Sequence, residues 1–165
     1  MSHLDHIQKK LMNSEQLIDQ LNQWQKEGCK IVFSNGCFDI LHLGHVDYLA
    51  QAADFGDKMV IGLNTDSSVS RIKGPTRPIN DERSRAMVLA GLEFVAAIIL
   101  FDEPTPYELI RLVQPDVLVK GADYKPEDIV GYDIVTAKGG TVKTIPFVDG
   151  YSTTKIEQRI REAKN

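Results

Sequence analysis

Cysteine is scarce in this 165-residue chain, with Cys29 and Cys37 the only two. With no export signal ahead of them, two thiols do not make a disulfide scaffold, and the expectation is that both are reduced. No apolar run approaches the length of about 18 residues that a membrane span needs, and the N-terminus lacks the charged-then-apolar pattern of a signal peptide. The expected location is the cytoplasm, with no membrane partner. Histidine is also sparse, four in all. Beside His42 and His45, only His3, His6, Cys29 and Cys37 offer non-carboxylate ligands, a poor supply for a zinc site, so no protein-held metal is expected. A net charge of −4, spread over mixed Lys and Glu, argues against a nucleic-acid groove or an anionic membrane as main partner. Internal repeats, low-complexity tracts and linkers are missing too.

What is present suits one domain. A chain of this length buries on the order of 70% of its unfolded surface and needs no staples. Strand-like and helix-like segments alternate. The runs Lys30 to Ser34, Lys58 to Asn64, Val95 to Phe101, Asp116 to Lys120 and Thr141 to Ile145 read as strands. Helical patterns lie between them at Asp81 to Leu92, with Asn80 as its cap, and at Thr105 to Val113, opened by Pro104 and Pro106. This alternation predicts an α/β fold, a single Rossmann-like, doubly wound parallel five-stranded sheet with helices on both faces. Its ligand belongs at the carboxyl ends of the strands, near the switch point. Residues 1–28 read as an N-terminal helical extension carrying an apolar stripe of Leu17, Ile18, Leu21 and Trp24, expected to brace the domain of residues 29–165 or a second subunit.

The most informative stretch follows the first strand: Gly36-Cys37-Phe38-Asp39-Ile40-Leu41-His42-Leu43-Gly44-His45. Beyond it Val46, Leu49, Ala50 and Ala53 recur at helical spacing until Gly56 supplies a stop. His42 and His45 therefore sit where a helix begins. Its unpaired N–H groups and positive dipole end attract anions, two imidazoles add donors, and Gly44 leaves room for close backbone approach. A polyphosphate is the expected ligand, with Cys37, Phe38 and Gly44 lining its nucleotide.

The stretch resembles the His-x-Gly-His signature of nucleotidyltransferases of the cytidylyltransferase-like branch. Two further clusters fit that resemblance. Arg71, Lys73 and Arg77 follow the second strand, and Gly74, Pro75 and Pro78 predict a flexible loop there, able to close as a lid. In the family a lysine in this place contacts phosphates, which implies that role for Lys73 and, less directly, substrate contact for Arg77. Ser152, Thr153 and Thr154 open the last helix. Hydroxyls there serve as caps, but the run also resembles a family segment that binds triphosphate from a second side. Glu157 stands where some members carry arginine.

The segments Val119 to Glu127, Lys73 to Asn80 and Asp149 to Thr154 are similar to those of the adenylyltransferases that act on heptose 1-phosphate. That resemblance implies ATP and a sugar 1-phosphate as substrates, ADP-heptose for lipopolysaccharide or other surface glycan as product, Mg²⁺ carried with ATP, and a homodimer. A separate sugar kinase would supply the substrate. An ionised sugar phosphate needs no protein nucleophile, so positioning and charge stabilisation must provide catalysis, from His42, His45 and Lys73. Asp39 and Asp66 are candidates to orient the metal or the sugar, though acidic loop residues serve equally as turn formers. Asp123 is a candidate reader of the nucleotide. Two alternatives stay open: a transferase of another pair, such as CTP with glycerol 3-phosphate, and a nucleotide-binding module without turnover.

Overall fold

Ile31, Val32 and Phe33 point alternately to opposite faces of a sheet and are buried on both, as a central parallel strand requires. The computed structural model describes residues 2–121 and 124–163. The strands are β1 (Ile31–Gly36), β2 (Lys58–Asn64), β3 (Val95–Phe101), β4 (Val117–Gly121) and β5 (Thr141–Ile145). They pair in parallel in the order β3-β2-β1-β4-β5. The order reverses between β1 and β4, so the switch point lies at the carboxyl ends of those two strands. The expected doubly wound five-stranded sheet is what forms.

The helices are α1 (His3–Lys9), α2 (Ser14–Lys26), α3 (Leu43–Ala53), α4 (Asp66–Lys73), α5 (Glu82–Ala90), α6 (Tyr107–Val113), α7 (Tyr132–Ala137) and α8 (Thr153–Glu162). On one face Tyr48, Leu49 and Ala52 of α3 and Ala86, Leu89 and Ala90 of α5 cover Val32, Ile61, Leu63 and Val119. On the other, Leu17, Leu21 and Trp24 of α2 and Leu109, Ile110 and Val113 of α6 cover Phe33, Val60 and Leu118. The N-terminal helices share these cores across the 28/29 boundary. Met12 N–H donates to Ile98 O at 3.0 Å and Ile98 N–H to Lys10 O at 2.7 Å, tying the chain between α1 and α2 to β3. That segment is two helices, because Asn13 and Gln16 form a reciprocal capping box that starts α2 afresh. Of the expected stripe, Ile18 alone stays exposed.

Several boundaries differ from the sequence expectation. Strand β1 continues to Gly36, and β4 begins at Val117 because the Asp116 carboxylate turns to accept Ile31 N–H at 2.8 Å. Helix α3 ends at Ala53, before Gly56. A Cβ on Gly56 would lie 2.7 Å from Lys30 O, so that glycine serves close packing rather than a helix stop. Asp81, not Asn80, caps α5, accepting Ser84 N–H at 2.8 Å. The largest correction concerns residues 66–73, which form helix α4 rather than a loop. Thr65 caps it by accepting Ser68 N–H, and the breaker Gly74, at φ 99°, acts only after Lys73. Arg71 and Lys73 thus ride on the last turn of a helix, and only the stretch from Gly74 onward is loop.

Candidate active site

Helix α3 starts at the switch point with His42 as its N-cap residue. No side chain caps it and its first turn carries no acid, so its first N–H groups and dipole remain available to an anion. The ring of His42 stacks on that of His45 with centroids 3.8 Å apart and an interplanar angle of 22°. Phe38, held at a left-handed φ of 44°, sets its ring edge-on to His45 at 5.3 Å. This apolar wall accounts for the electrostatics. Burial first, then the neighbouring His42 and Lys73, push His45 down to about 4, and burial also lowers His42. Both rings are neutral at pH 7, each with one N–H to give. Among the described residues neither Nδ1 has a hydrogen-bond partner, although both are buried. Gly44 has a packing reason beyond ligand approach, since a Cβ there would meet the His42 ring at 3.1 Å.

Two ionic anchors hold the surrounding loops. The buried Asp39 carboxylate accepts Ile79 N–H at 2.8 Å and Asn80 N–H at 2.9 Å, and pairs with Arg77 at 3.3 Å. Arg77 also pairs with Glu157 of α8. The loop after β1, the loop after α4 and the last helix are thereby tied together. Arg85 is the second anchor. It is 2% exposed and donates to Asn80 O, Cys37 O and Asn64 O and to the Asp66 carboxylate at 2.7 to 3.0 Å.

A cleft of about 220 Å³ opens above β1 and β4. The Cys37, Phe38, Asp39, His45, Lys73 and Thr153 expected from the sequence line it. Lys73 is close enough for its charge to act on both Cys37 and His45. Ser152 caps α8, accepting Lys155 N–H at 3.2 Å, and α8 likewise has no acid in its first turn. Thr154 lies in that same first turn. The cleft thus receives the first turns of two helices, the His45 imidazole with His42 stacked on it, and the Lys73 and Lys120 ammonium groups, while His42, Gly44, Ser152 and Thr154 lie outside its lining.

Three candidates stand differently from the expectation. Asp39 is committed to backbone amides and Arg77, so its geometry is that of an anchor rather than of a carboxylate free to orient a sugar or metal. Arg77 is spent between Asp39 and Glu157, and Asp66 pairs with Arg85 at the first turn of α4 outside the cleft. The Cys37 carbonyl, too, is taken by Arg85. Cys37 and Cys29 are free thiols, and burial raises the pKa of Cys37. Asp123 lies outside the described residues.

The cleft also contains residues the sequence reading gave no role. Asn35, Tyr48, Lys120, Gly121, Tyr124 and Phe147 line it. Tyr48 donates or accepts at 2.9 Å with Ser34 and faces the Phe147 ring at 5.9 Å. Gly121 is required there, because a Cβ would fall 2.2 Å from that ring. Arg85 was detectable: it precedes Ala86 and stands four before Leu89, on the apolar side of α5, where an unpaired arginine would not be tolerated. Lys120 carried a weaker signal, a lone cation at the carboxyl end of an apolar strand.

The family profile described as cytidylyltransferase-like matches residues 33–159. The chain belongs to the cytidylyltransferase-like family. Two curated relatives, each named bifunctional protein HldE, come from Campylobacter concisus and Wolinella succinogenes. They are 54% and 49% identical over 160 residues, 97% of this chain and 33% of each relative. The chain therefore spans about a third of the length of the curated relatives it matches. Among solved structures, the lipopolysaccharide core biosynthesis protein from Thermoplasma volcanium GSS1 is 32% identical, with a TM-score of 0.59 over 76% of this chain and 100% of that one. The pantoate-beta-alanine ligase of Francisella tularensis, 16% identical, shares the fold, with a TM-score of 0.60 over 94% of this chain and 78% of that one. Among the described residues, no helix of this family member is long and apolar enough to cross a membrane.

Proposed function

We propose that this chain transfers AMP from ATP to D-glycero-D-manno-heptose 1-phosphate, releasing pyrophosphate and ADP-heptose for surface glycan synthesis. The observation that carries the proposal is the stacked His42–His45 pair at the N-terminus of α3, facing Lys73 and the first turn of α8. A triphosphate is the ligand such a cluster suits. The likeness to proteins named HldE and to a lipopolysaccharide core biosynthesis protein supports a heptose 1-phosphate acceptor.

In the reaction a phosphate oxygen of the sugar, already ionised, attacks the α-phosphorus. A new P–O bond forms, the α–β bridge bond breaks, and its electron pair leaves with pyrophosphate. No proton has to move and no covalent enzyme intermediate forms. His42 and His45 donate to oxygens that gain charge, Lys73 follows the leaving group, and the helix N-termini hold the chain of phosphates. Among the described residues no three of His, Cys, Asp or Glu converge to hold a metal. With Asp39 committed to amides, the donor set fits a Mg²⁺ ion bound mainly through phosphate oxygens and water. Such an ion supplies neutralising charge on the triphosphate. A cytoplasmic location and a homodimer belong to the same reading, and sedimentation tests the last.

The test is pyrophosphate release with Mg²⁺, crossing ATP and CTP against both anomers of heptose 1-phosphate and against glycerol 3-phosphate. Release with ATP and one heptose anomer is the expected result. Release only with CTP and glycerol 3-phosphate makes the chain a cytidylyltransferase. Tight nucleotide binding without release under any pairing makes it a binding module.

A further inference from the structure

Two groups at the switch point remain unused by the phosphate-binding cluster. Asn35 sits at the carboxyl end of β1, and its side-chain oxygen is buried with no hydrogen-bond partner among the described residues. A buried acceptor left alone is costly, so in a working site a ligand donor completes it. Lys120 sits at the carboxyl end of the adjacent strand β4, lines the same cleft, and meets no carboxylate within ion-pair distance among the described residues. Burial pulls its ammonium down to about 8, with the Cys37 thiol beside it. A half-buried cation and a buried acceptor atom, each without a partner among the described residues and on neighbouring strands, match one ligand chemistry, a phosphate carrying hydroxyls.

Which substrate this is follows from the division of the cleft. His42 and His45 ride on α3 and Lys73 on the last turn of α4, whereas Asn35 and Lys120 stand at the carboxyl ends of β1 and β4, in the same cleft. In-line transfer needs the attacking oxygen opposite the leaving pyrophosphate. With the triphosphate gathered by α3, His42, His45, Lys73 and α8, the strand ends that carry Asn35 and Lys120 are left for the acceptor.

We propose that Lys120 and Asn35 form the acceptor subsite: the Lys120 ammonium holds the phosphate of the sugar 1-phosphate, and the Asn35 carboxamide oxygen accepts a hydrogen bond from a sugar hydroxyl. The assignment rests on the adenylyl-transfer reading. Each residue touches the acceptor, and Lys120 also neutralises the nucleophile's approach to the triphosphate.

The experiment uses Lys120→Met, Lys120→Arg and Asn35→Ala in the full chain, with two readouts. Steady-state pyrophosphate release gives KM for each substrate. Calorimetry measures sugar 1-phosphate binding to protein saturated with Mg²⁺ and a non-hydrolysable ATP analogue. Lys120→Met is expected to raise the acceptor KM and Kd on the order of 10- to 100-fold, and Asn35→Ala on the order of tenfold, with ATP-analogue affinity unchanged. Lys120→Arg should recover part of the loss. Equal losses in analogue affinity would move the pair to the nucleotide, and unchanged acceptor binding in Lys120→Met would overturn the assignment. Wild-type binding of the sugar phosphate without turnover sinks the activity and leaves the subsite standing. If the wild type does not bind it, the subsite assignment is overturned for that ligand. Turnover of another phosphorylated acceptor then separates the readings, because Lys120→Met must raise that acceptor's KM for the subsite to survive. Lys120→Met replaces a half-buried charge by an apolar chain of similar length, so a melting curve no lower than wild type verifies folding.

Discussion

His42 and His45 lie ring on ring at 3.8 Å, and Phe38 closes the apolar side of His45. Two charged imidazoles would repel at that separation, so the pair is built neutral and receives charge only when phosphates arrive.

His45→Ala is therefore expected to lower kcat on the order of 10²- to 10³-fold, the size of loss when one preorganised donor to a developing charge is removed. Affinity for Mg²⁺–ATP should change by no more than about threefold. Presteady-state pyrophosphate release and equilibrium nucleotide binding separate the two quantities, and parallel losses would assign His45 to ground-state binding.

Proton uptake follows from the same burial. In the free protein His45 titrates near 4, below its ordinary value, so it is unprotonated at pH 6. A bound polyphosphate favours the charged ring and raises that value. Nucleotide binding at about pH 5.5 should then take up protons, and the uptake should fade by about pH 8, where the bound ring too is neutral. Calorimetry in buffers of different ionisation enthalpy reads the number directly, and His45→Ala should reduce it.

Lys120 has the opposite signature in stability. Its folded value, about 8, lies below its ordinary one, so between them the unfolded chain holds more protons than the folded one. Stability from this group must rise as pH increases through that window. Tyr48, pushed up to about 12, and Cys37, also raised, act in the other direction as pH rises past their ordinary values. The difference in melting temperature between wild type and Lys120→Met isolates the lysine: it should shrink as pH goes from about 7.5 to about 10.

The sheet and the phosphate cluster were legible because each rests on local pattern. Val95 to Phe101 is an unbroken apolar run that had to be a buried strand, and His42 and His45 follow a strand at the distance that starts a helix. What escaped depends on partners far along the chain. Arg71 and Lys73 look like loop residues until Thr65 is seen to cap α4, because the breakers at 74, 75 and 78 dominate the local pattern. Asp39 reads as a candidate to orient the metal or the sugar until Ile79 and Asn80, some forty residues away, fill its oxygens. Asn35 and Lys120 reach one cleft only because β1 and β4 lie side by side in the sheet, which no short window of sequence reveals.

Arg85 gives the most severe stability prediction. Its guanidinium is buried and joins the carbonyls of Cys37, Asn64 and Asn80 with the Asp66 carboxylate, linking the loop after β1, the end of β2 and the start of α5. Arg85→Met keeps the apolar stem but leaves three carbonyls without this donor. The expected loss is roughly 3–5 kcal/mol, the range found when one member of a buried charged network is deleted. Arg85→Lys should recover little, because one ammonium cannot reach a fan of acceptors that a planar fork spans. Leu17→Ala serves as the comparison. Leu17 is fully buried in α2, so it should cost about 2–4 kcal/mol through a cavity remote from the cleft, with the KM values unchanged. Urea unfolding measures both, and if Arg85→Met is as active and as stable as wild type, the loop anchored at Cys37 is held by something other than this network.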